Sequence, residues 1–182
     1  MELFEKTLES ELVFDGAVCH LYKDKVELPD GSTSMREYIK HLGAVCVIPI
    51  TDEGEVILEK QYRYSVGRVM IEIPAGKLDY AGEDFLSAAE RELREETGAV
   101  AAEMIDMGDY FGSPAIMGEH IRMYMAKGLT FGECELDEGE FLEVERIPLE
   151  KAVEMVLSNE LRDGKTQAAV LKVKLLRDKG LW

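Results

Sequence analysis

One stretch constrains this chain more than any other: Ile73 to Ala99, IPAGKLDYAGEDFLSAAERELREETGA, which joins a Pro- and Gly-containing loop to a helix marked at both ends. The loop runs from Pro74 to Gly82. Asp84 stands where an N-cap belongs, and Gly98 follows Thr97 as a left-handed stop, which predicts a helix from about Asp84 to Thr97. Phe85, Leu86, Ala89 and Leu93 recur at helical spacing and are expected to face a core. The remaining faces are charged.

Residues four apart on a helix are neighbours, so opposite charges at that spacing cancel. Glu90 has Arg94 one turn on, and Arg91 has Glu95. Glu92 and Glu96 have only each other at that spacing, and they repel. Water on an exposed face offsets this cheaply, which is the common fate of a charge run. A divalent metal offsets it specifically, because Mg²⁺ is a hard ion commonly held by one or two carboxylates together with waters and substrate phosphates.

The spacing of the whole stretch resembles the signature of the Nudix hydrolases, GX5EX7REUXEEXGU, where U is a bulky aliphatic residue. From Glu83 through Arg91-Glu92-Leu93-Arg94-Glu95-Glu96-Thr97-Gly98 every specified position matches in register. Two departures stand at the ends: six residues rather than five separate Gly76 from Glu83, and Ala99, followed by Val100, takes the last aliphatic position. The extra residue falls in the loop near Tyr80 and Ala81, where insertions are tolerated.

Gln61-Tyr62-Arg63-Tyr64 and Glu72-Ile73-Pro74-Ala75-Gly76 are similar to the ADP-ribose pyrophosphatase branch of that family, in which QYR and EIPAG flank the nucleotide site. Gly112-Ser113-Pro114 and Glu119 resemble the branch's SPG-containing stretch, with Ala115 in place of its glycine. The resemblance covers residues 5 to 176. It implies that Glu92, Glu95, Glu96 and the Ala75 carbonyl hold Mg²⁺ or Mn²⁺, that Arg63, Glu72 and Glu119 bind substrate, and that Arg91 orients the ligands through Glu95. It also implies that a glutamate of the acidic loop Phe131 to Glu140 activates the attacking water; Glu138 ranks ahead of Glu140. A guanidinium offers phosphate a bidentate grip, which agrees with the role of Arg63. Tyr62 and Tyr64 are read as packing residues and left outside the site.

Length and composition suit one domain, or one with an appendage: 182 residues with 46% hydrophobic content can bury a sizeable core. The net charge of −16 argues against nucleic acid as partner, since phosphate binding by that route needs a basic patch. A small phosphorylated substrate is compatible where metal ions and a few arginines invert the local field. No run is long or apolar enough for a membrane span, and the first residues lack a signal-peptide layout, so a cytoplasmic location is expected. Cys19, Cys46 and Cys134 are scattered without CxxC spacing and read as inert, mostly buried thiols. His20, His41 and His120 show no pairing with a nucleophile.

In chain order, Phe4 to Phe14 and Ala17 to Tyr22 read as strands of a short meander with a turn at Leu28-Pro29-Asp30-Gly31, and Arg36 to His41 as the lead into a buried-type strand, Ala44 to Ile50. Thr51-Asp52-Glu53-Gly54 is a hairpin turn, with Glu55 to Arg63 as the returning strand. Ile121 to Ala126 and Phe141 to Ile147 are further strands. Pro148 opens an amphipathic helix to Leu157, and a last helix, Lys165 to Lys179, follows the cap Asp163, with Ala168, Ala169, Leu171, Val173, Leu175 and Leu176 as its core residues.

The expected fold is therefore an α/β/α sandwich of the Nudix type with a mixed sheet, preceded by an amino-terminal β meander. Residues 1–40 form the meander, which the resemblance makes a homodimerisation element, and residues 41–182 the hydrolase domain. The implied reaction is metal-dependent hydrolysis of a nucleoside diphosphate sugar, ADP-ribose to AMP and ribose 5-phosphate first. Another nucleotide sugar or a dinucleotide is the alternative within enzymes. A non-catalytic nucleotide sensor is the alternative outside them, and it predicts eroded glutamates where this chain has them intact.

Overall fold

A computed structural model describes residues 2–182. Its strands are β1 (Lys6–Asp15), β2 (His20–Glu27), β3 (Thr33–Lys40), β4 (Ala44–Pro49), β5 (Glu55–Arg63), β6 (Arg68–Glu72), β7 (Ala75–Lys77), β8 (Ala99–Tyr110), β9 (Ile121–Phe131) and β10 (Leu142–Pro148). Its helices are α1 (Phe85–Thr97), α2 (Leu149–Leu157) and α3 (Gly164–Asp178), and Tyr64–Val66 makes one 3₁₀ turn. The chain divides into two compact units. One holds the residues up to Gly43 together with Phe111–His120; the other holds Ala44–Tyr110 and Ile121–Trp182.

The first unit is an antiparallel sheet in the order β1-β2-β3. Its second turn is the expected one: Gly31 N donates to Leu28 O at 2.9 Å, with Gly31 at a φ of +83° that a side chain would strain. Arg36 to Lys40, read as a lead-in, is instead the second half of β3. The segment Phe111–His120 joins this unit through Ile39, whose N–H donates to Ile116 O and whose carbonyl accepts from Gly118 N. Every residue of β1 is exposed, including Leu8, Leu12, Val13 and Phe14.

The second unit is built on a four-stranded mixed sheet ordered β7-β4-β9-β8, in which β4 and β9 run parallel and the other pairs antiparallel. Successive residues of a strand point to opposite faces. In β4 this sends Val45 and Val47 to the same cluster as Ala88, Ala89 and Leu93 of α1, and Ala44, Cys46 and Ile48 to the cluster that holds residues of α2 and α3. One strand of small and β-branched residues thus serves two helical layers, and that produces the expected sandwich. Among the described residues no helix is long and apolar enough to cross a membrane.

A three-stranded antiparallel sheet, ordered β10-β5-β6, completes the unit. This corrects the hairpin expectation. Thr51 to Gly54 does turn, with Gly54 N donating to Thr51 O at 2.9 Å, but only the isolated bridge Ile50–Val56 joins the two arms before β5 leaves for its own sheet. β6, β7 and β8 were not anticipated; β7 lies in the stretch Pro74 to Gly82 read as a loop and is a strand because it pairs with β4. β8, AVAAEMIDMGDY, has only Val100, Ile105 and Tyr110 as β-formers among Ala, Glu, Asp, Met and Gly, and is a strand because it pairs along its length with β9.

The marked helix forms as expected, with Asp84 accepting from Ser87 N at 2.9 Å and Gly98 left-handed at φ +68°. Its buried stripe is shifted: Ala88, Ala89 and Leu93 are buried with Glu96 and Thr97, whereas Leu86 is exposed. In α3 the buried residues are Lys165, Thr166, Ala169, Val170 and Val173, while Leu171 and Leu175, expected in the core, are exposed. Cys46 is buried, which pushes its thiol up to about 12, but Cys134 is exposed rather than buried. Tyr62 and Tyr64 are exposed rather than packed.

Gly98 does more than end α1. Its carbonyl accepts from Gly132 N at 2.7 Å, and Glu95 O accepts from Glu135 N at 2.9 Å, so two backbone bonds moor the start of the acidic loop to the end of α1. A Cβ at Gly98 would lie 2.5 Å from Gly132 O and adopt a left-handed φ. Gly98→Ala is therefore expected to destabilise the protein by about 1–3 kcal/mol or more, measured as a lower urea midpoint. Gly82→Ala, whose Cβ meets nothing within 4 Å, should cost less.

Candidate active site

The charged residues of α1 converge with β5, β6 and the loop after β6. Ala75 N, in the first residue of β7, donates to Glu96 Oε2 at 2.9 Å, which ties the helix to the Pro74-Ala75-Gly76 turn. On the other side of that turn Val47 N donates to Pro74 O at 2.9 Å, anchoring it to the central sheet. Gly76 is required by close approach: a Cβ there would sit 2.0 Å from the Glu92 carboxyl carbon.

Arg91 is the organising cation of α1. Its Nη1 donates to Glu92 Oε1 at 2.7 Å and to Glu95 Oε2 at 3.2 Å, and its Nη2 lies 3.5 Å from Glu83 and 3.4 Å from Asp79. Glu83 in turn accepts from Asp79 N at 2.7 Å. The loop carrying the extra residue is thus closed onto the helix by one guanidinium. The Arg91–Glu95 pair was expected; the bond to Glu92 corrects the reading that no local cation reaches it, because adjacent side chains can still meet when a long arginine folds back. Arg94 lies near Glu95 (3.6 Å) and Glu135 (3.8 Å), in place of the pairing with Glu90 that its spacing suggested.

β5 and β6 supply the second half. Glu59 and Glu72 are register partners, so both project from one face of the sheet, as do Gln61 and Arg63 by the two-residue period. Arg63 grips Glu72 through Nε at 2.8 Å and Nη2 at 3.1 Å. Lys165, buried at the start of α3, bonds the same carboxylate and reaches Asp163 at 3.1 Å. Next to it Thr166 takes the Ile73 N–H at 2.9 Å while donating to Asp163. Burial alone would raise Glu72, but Arg63 and Lys165 outweigh it and hold the carboxyl below its usual range. Gln61 Nε2 donates to Glu140 Oε1 at 2.9 Å. Glu138 is exposed. Glu119 belongs to the first unit, where its carboxylate stands 3.7 Å from His41 Nε2.

Sequence reasoning missed Glu59 and Lys165. Glu59 is fully buried, and among the described residues no protein group hydrogen-bonds either of its oxygens. Burial, then the charge of Glu72, pushes it above the usual carboxylate range. Glu96 is raised likewise by burial, then by the charges of Glu59 and Glu92. Burial lifts Glu92 to about 6 against the pull of Arg91. The one available signal was the alternation of β5, which puts Glu59 on the face of Gln61 and Arg63.

Among the described residues, no three His, Cys, Asp or Glu side chains form a group that could hold a metal ion as they stand. The bonds give the reason: Arg91 draws Glu92 and Glu95 to itself, and Ala75 N holds Glu96. The donor chemistry nevertheless fits a hard cation, because Glu59, Glu92 and Glu96 are buried or nearly so, Glu96 feels the charges of the other two, and the two oxygens of Glu59 are bare.

The NUDIX domain model matches residues 40–170, and the model for the nucleoside diphosphate sugar hydrolase N-terminal domain matches residues 5–39. This chain belongs to the Nudix family. It is 43% identical over 175 residues to an ADP-ribose pyrophosphatase of Bacillus subtilis, covering 95% of this chain and 94% of that protein. It is 42% identical over 173 residues to a methanol dehydrogenase activator of Bacillus methanolicus, covering 94% and 93%. A crystal structure of an ADP compounds hydrolase shares the fold at a TM-score of 0.83 and 23% identity, over 97% of this chain and 96% of that one.

Glu96 binds a proton more tightly in the folded chain than its ordinary value of 4.5 implies. Its contribution to metal-free stability is accordingly intact below that value and is lost as pH rises above it. In chelator, Glu96→Gln, which keeps an acceptor for Ala75 N, should be more stable than the parent, and its advantage in urea midpoint should widen between about pH 5 and about pH 9.

Proposed function

We propose that this chain hydrolyses the pyrophosphate bond of a nucleoside diphosphate sugar, ADP-ribose to AMP and ribose 5-phosphate foremost, in dependence on Mg²⁺, with Mn²⁺ as substitute. The observation that carries this reading is the group of buried acidic side chains on α1 and β5 that exceeds the cations bonded to it. Such a group fits a pyrophosphate brought in with a divalent ion. The likeness to the ADP-ribose pyrophosphatase of Bacillus subtilis supports the same reading.

Glu92, Glu95, Glu96 and the Ala75 carbonyl would hold the ion. When bound, it would neutralise the diphosphate and lower the pKa of a coordinated water. The other roles fall to the chain itself. Glu72, fixed by Lys165, presents the Arg63 guanidinium, whose side chain is 38% exposed, to a phosphate. Arg91 keeps Glu92 and Glu95 in register on the helix. Glu119 is a further substrate contact. Of the two loop acids, Glu140 is the better base: its bond to Gln61 holds it on the face of β5, and its charge is felt by both Glu59 and Glu96. It would take the proton of the attacking water at a carboxylate oxygen, with Glu138 as the alternate on the same loop. Residues 1–40 form the dimerisation element in this reading, supported by the exposed Leu8, Leu12, Val13 and Phe14 of β1. A cytoplasmic location belongs to the same reading.

Product analysis with ADP-ribose and Mg²⁺ tests the proposal. The parent should release AMP and ribose 5-phosphate, and Glu96→Gln should lose about two orders of magnitude or more in kcat/KM. Equal turnover in both proteins would refute the metal assignment. Turnover by the parent of another nucleotide sugar, and not of ADP-ribose, would refute the substrate.

A further inference from the structure

Resting on the metal-dependent reading above, we infer that Glu59 is an additional ligand of the divalent cation, reaching it from β5 while Glu96 reaches it from α1. Glu59 lies on the central strand of the sheet β10-β5-β6, opposite Glu72 on one side and Val144 on the other. It is 0% exposed, and its neighbour Leu58 turns to the apolar core on the opposite face. A carboxylate in such a place is costly unless it is bonded or neutralised.

The nearby donors are committed elsewhere. Arg63 and Lys165 bond Glu72, the Gln61 amide bonds Glu140, and Lys60 bonds Glu145 at 2.6 Å. Arg91 spends both terminal nitrogens on Glu92, Glu95, Glu83 and Asp79, and its buried Nε, which bonds nothing among the described residues, does not reach Glu59. Glu96 keeps one bond, from Ala75 N. Glu59 has none to either oxygen among the described residues, and its register partner Glu72 lies three residues before Ala75, whose N–H bonds Glu96. A doubly charged ion offsets both Glu59 and Glu96 and uses oxygens of Glu59 that need leave no other partner. Carboxylate oxygens are the donors such an ion prefers.

The test is a Mn²⁺ titration, followed by the paramagnetic signal of the free ion, on the parent, Glu59→Gln and Glu96→Gln, with melting midpoints of all three measured in chelator. Glu59→Gln keeps the shape and removes the charge. It should bind Mn²⁺ roughly tenfold or more weakly than the parent, while its metal-free midpoint is equal to or above the parent's. If Glu59→Gln binds Mn²⁺ like the parent and Glu96→Gln does not, the inference fails and the metal reading stands. If both bind like the parent, the metal reading fails with it. A metal-free midpoint below the parent's in Glu59→Gln and also in Glu59→Leu would show that the carboxylate is satisfied without an ion, and would equally overturn the inference.

Discussion

Like charge held inside the protein is the constraint around which the second unit is arranged. Glu59 and Glu96 are buried and oppose each other, with Glu92 and Glu140 adding to the same field. A folded chain keeps such groups only where the rest of the molecule holds them there. Here the holding is done by backbone and packing. Ala75 N bonds Glu96, Leu93 and Ala89 press α1 onto the central sheet, and β5 is fixed between β6 and β10.

The cations are distributed in a way that sharpens this. Arg91 serves α1 and the loop before it, and Arg63 with Lys165 serves Glu72. Arg63 and Lys165 are matched by Glu72 and Asp163, whereas Arg91 alone faces four carboxylates, and among the described residues Glu59 and Glu96 bond no cation of either network. That residue of negative charge is what makes a divalent ion carrying a phosphate chemically apt in a protein whose net charge is −16. The acidic loop is moored at Gly98 and Glu95 on one side and at Gln61 through Glu140 on the other.

Much of this was legible because it is local. Asp84, Gly98 and the three-and-four spacing specify α1 whatever surrounds it, and Pro148, Asp163 and Gly31 mark their elements in the same manner. Where the reading failed, a distant partner decided. β8 has poor strand propensity and is held by β9; β5 leaves the hairpin because β6 and β10 offer it edges; Leu86, Leu171 and Leu175 are apolar yet exposed because the neighbouring layers do not extend over them. The fold-back of Arg91 onto Glu92 is a matter of side-chain reach that residue spacing does not encode.

By itself, then, the sequence determined the helix with its caps, the order and spacing of the acidic residues along it, the two-faced strand Ala44–Pro49 and the family to which the chain belongs, since all of these depend on residues close together along the backbone. Only the tertiary structure decided that Glu59 is buried opposite Glu72 with no hydrogen-bond partner among the described residues, that Lys165 bonds Glu72, and that Glu140 rather than Glu138 is held by Gln61. Those contacts join residues far apart in the chain, and they exist because β5, β6 and α3 pack in one apolar cluster and α1 in another on the opposite face of β4, where burial and the field of neighbouring charges, rather than residue type, set how each side chain behaves.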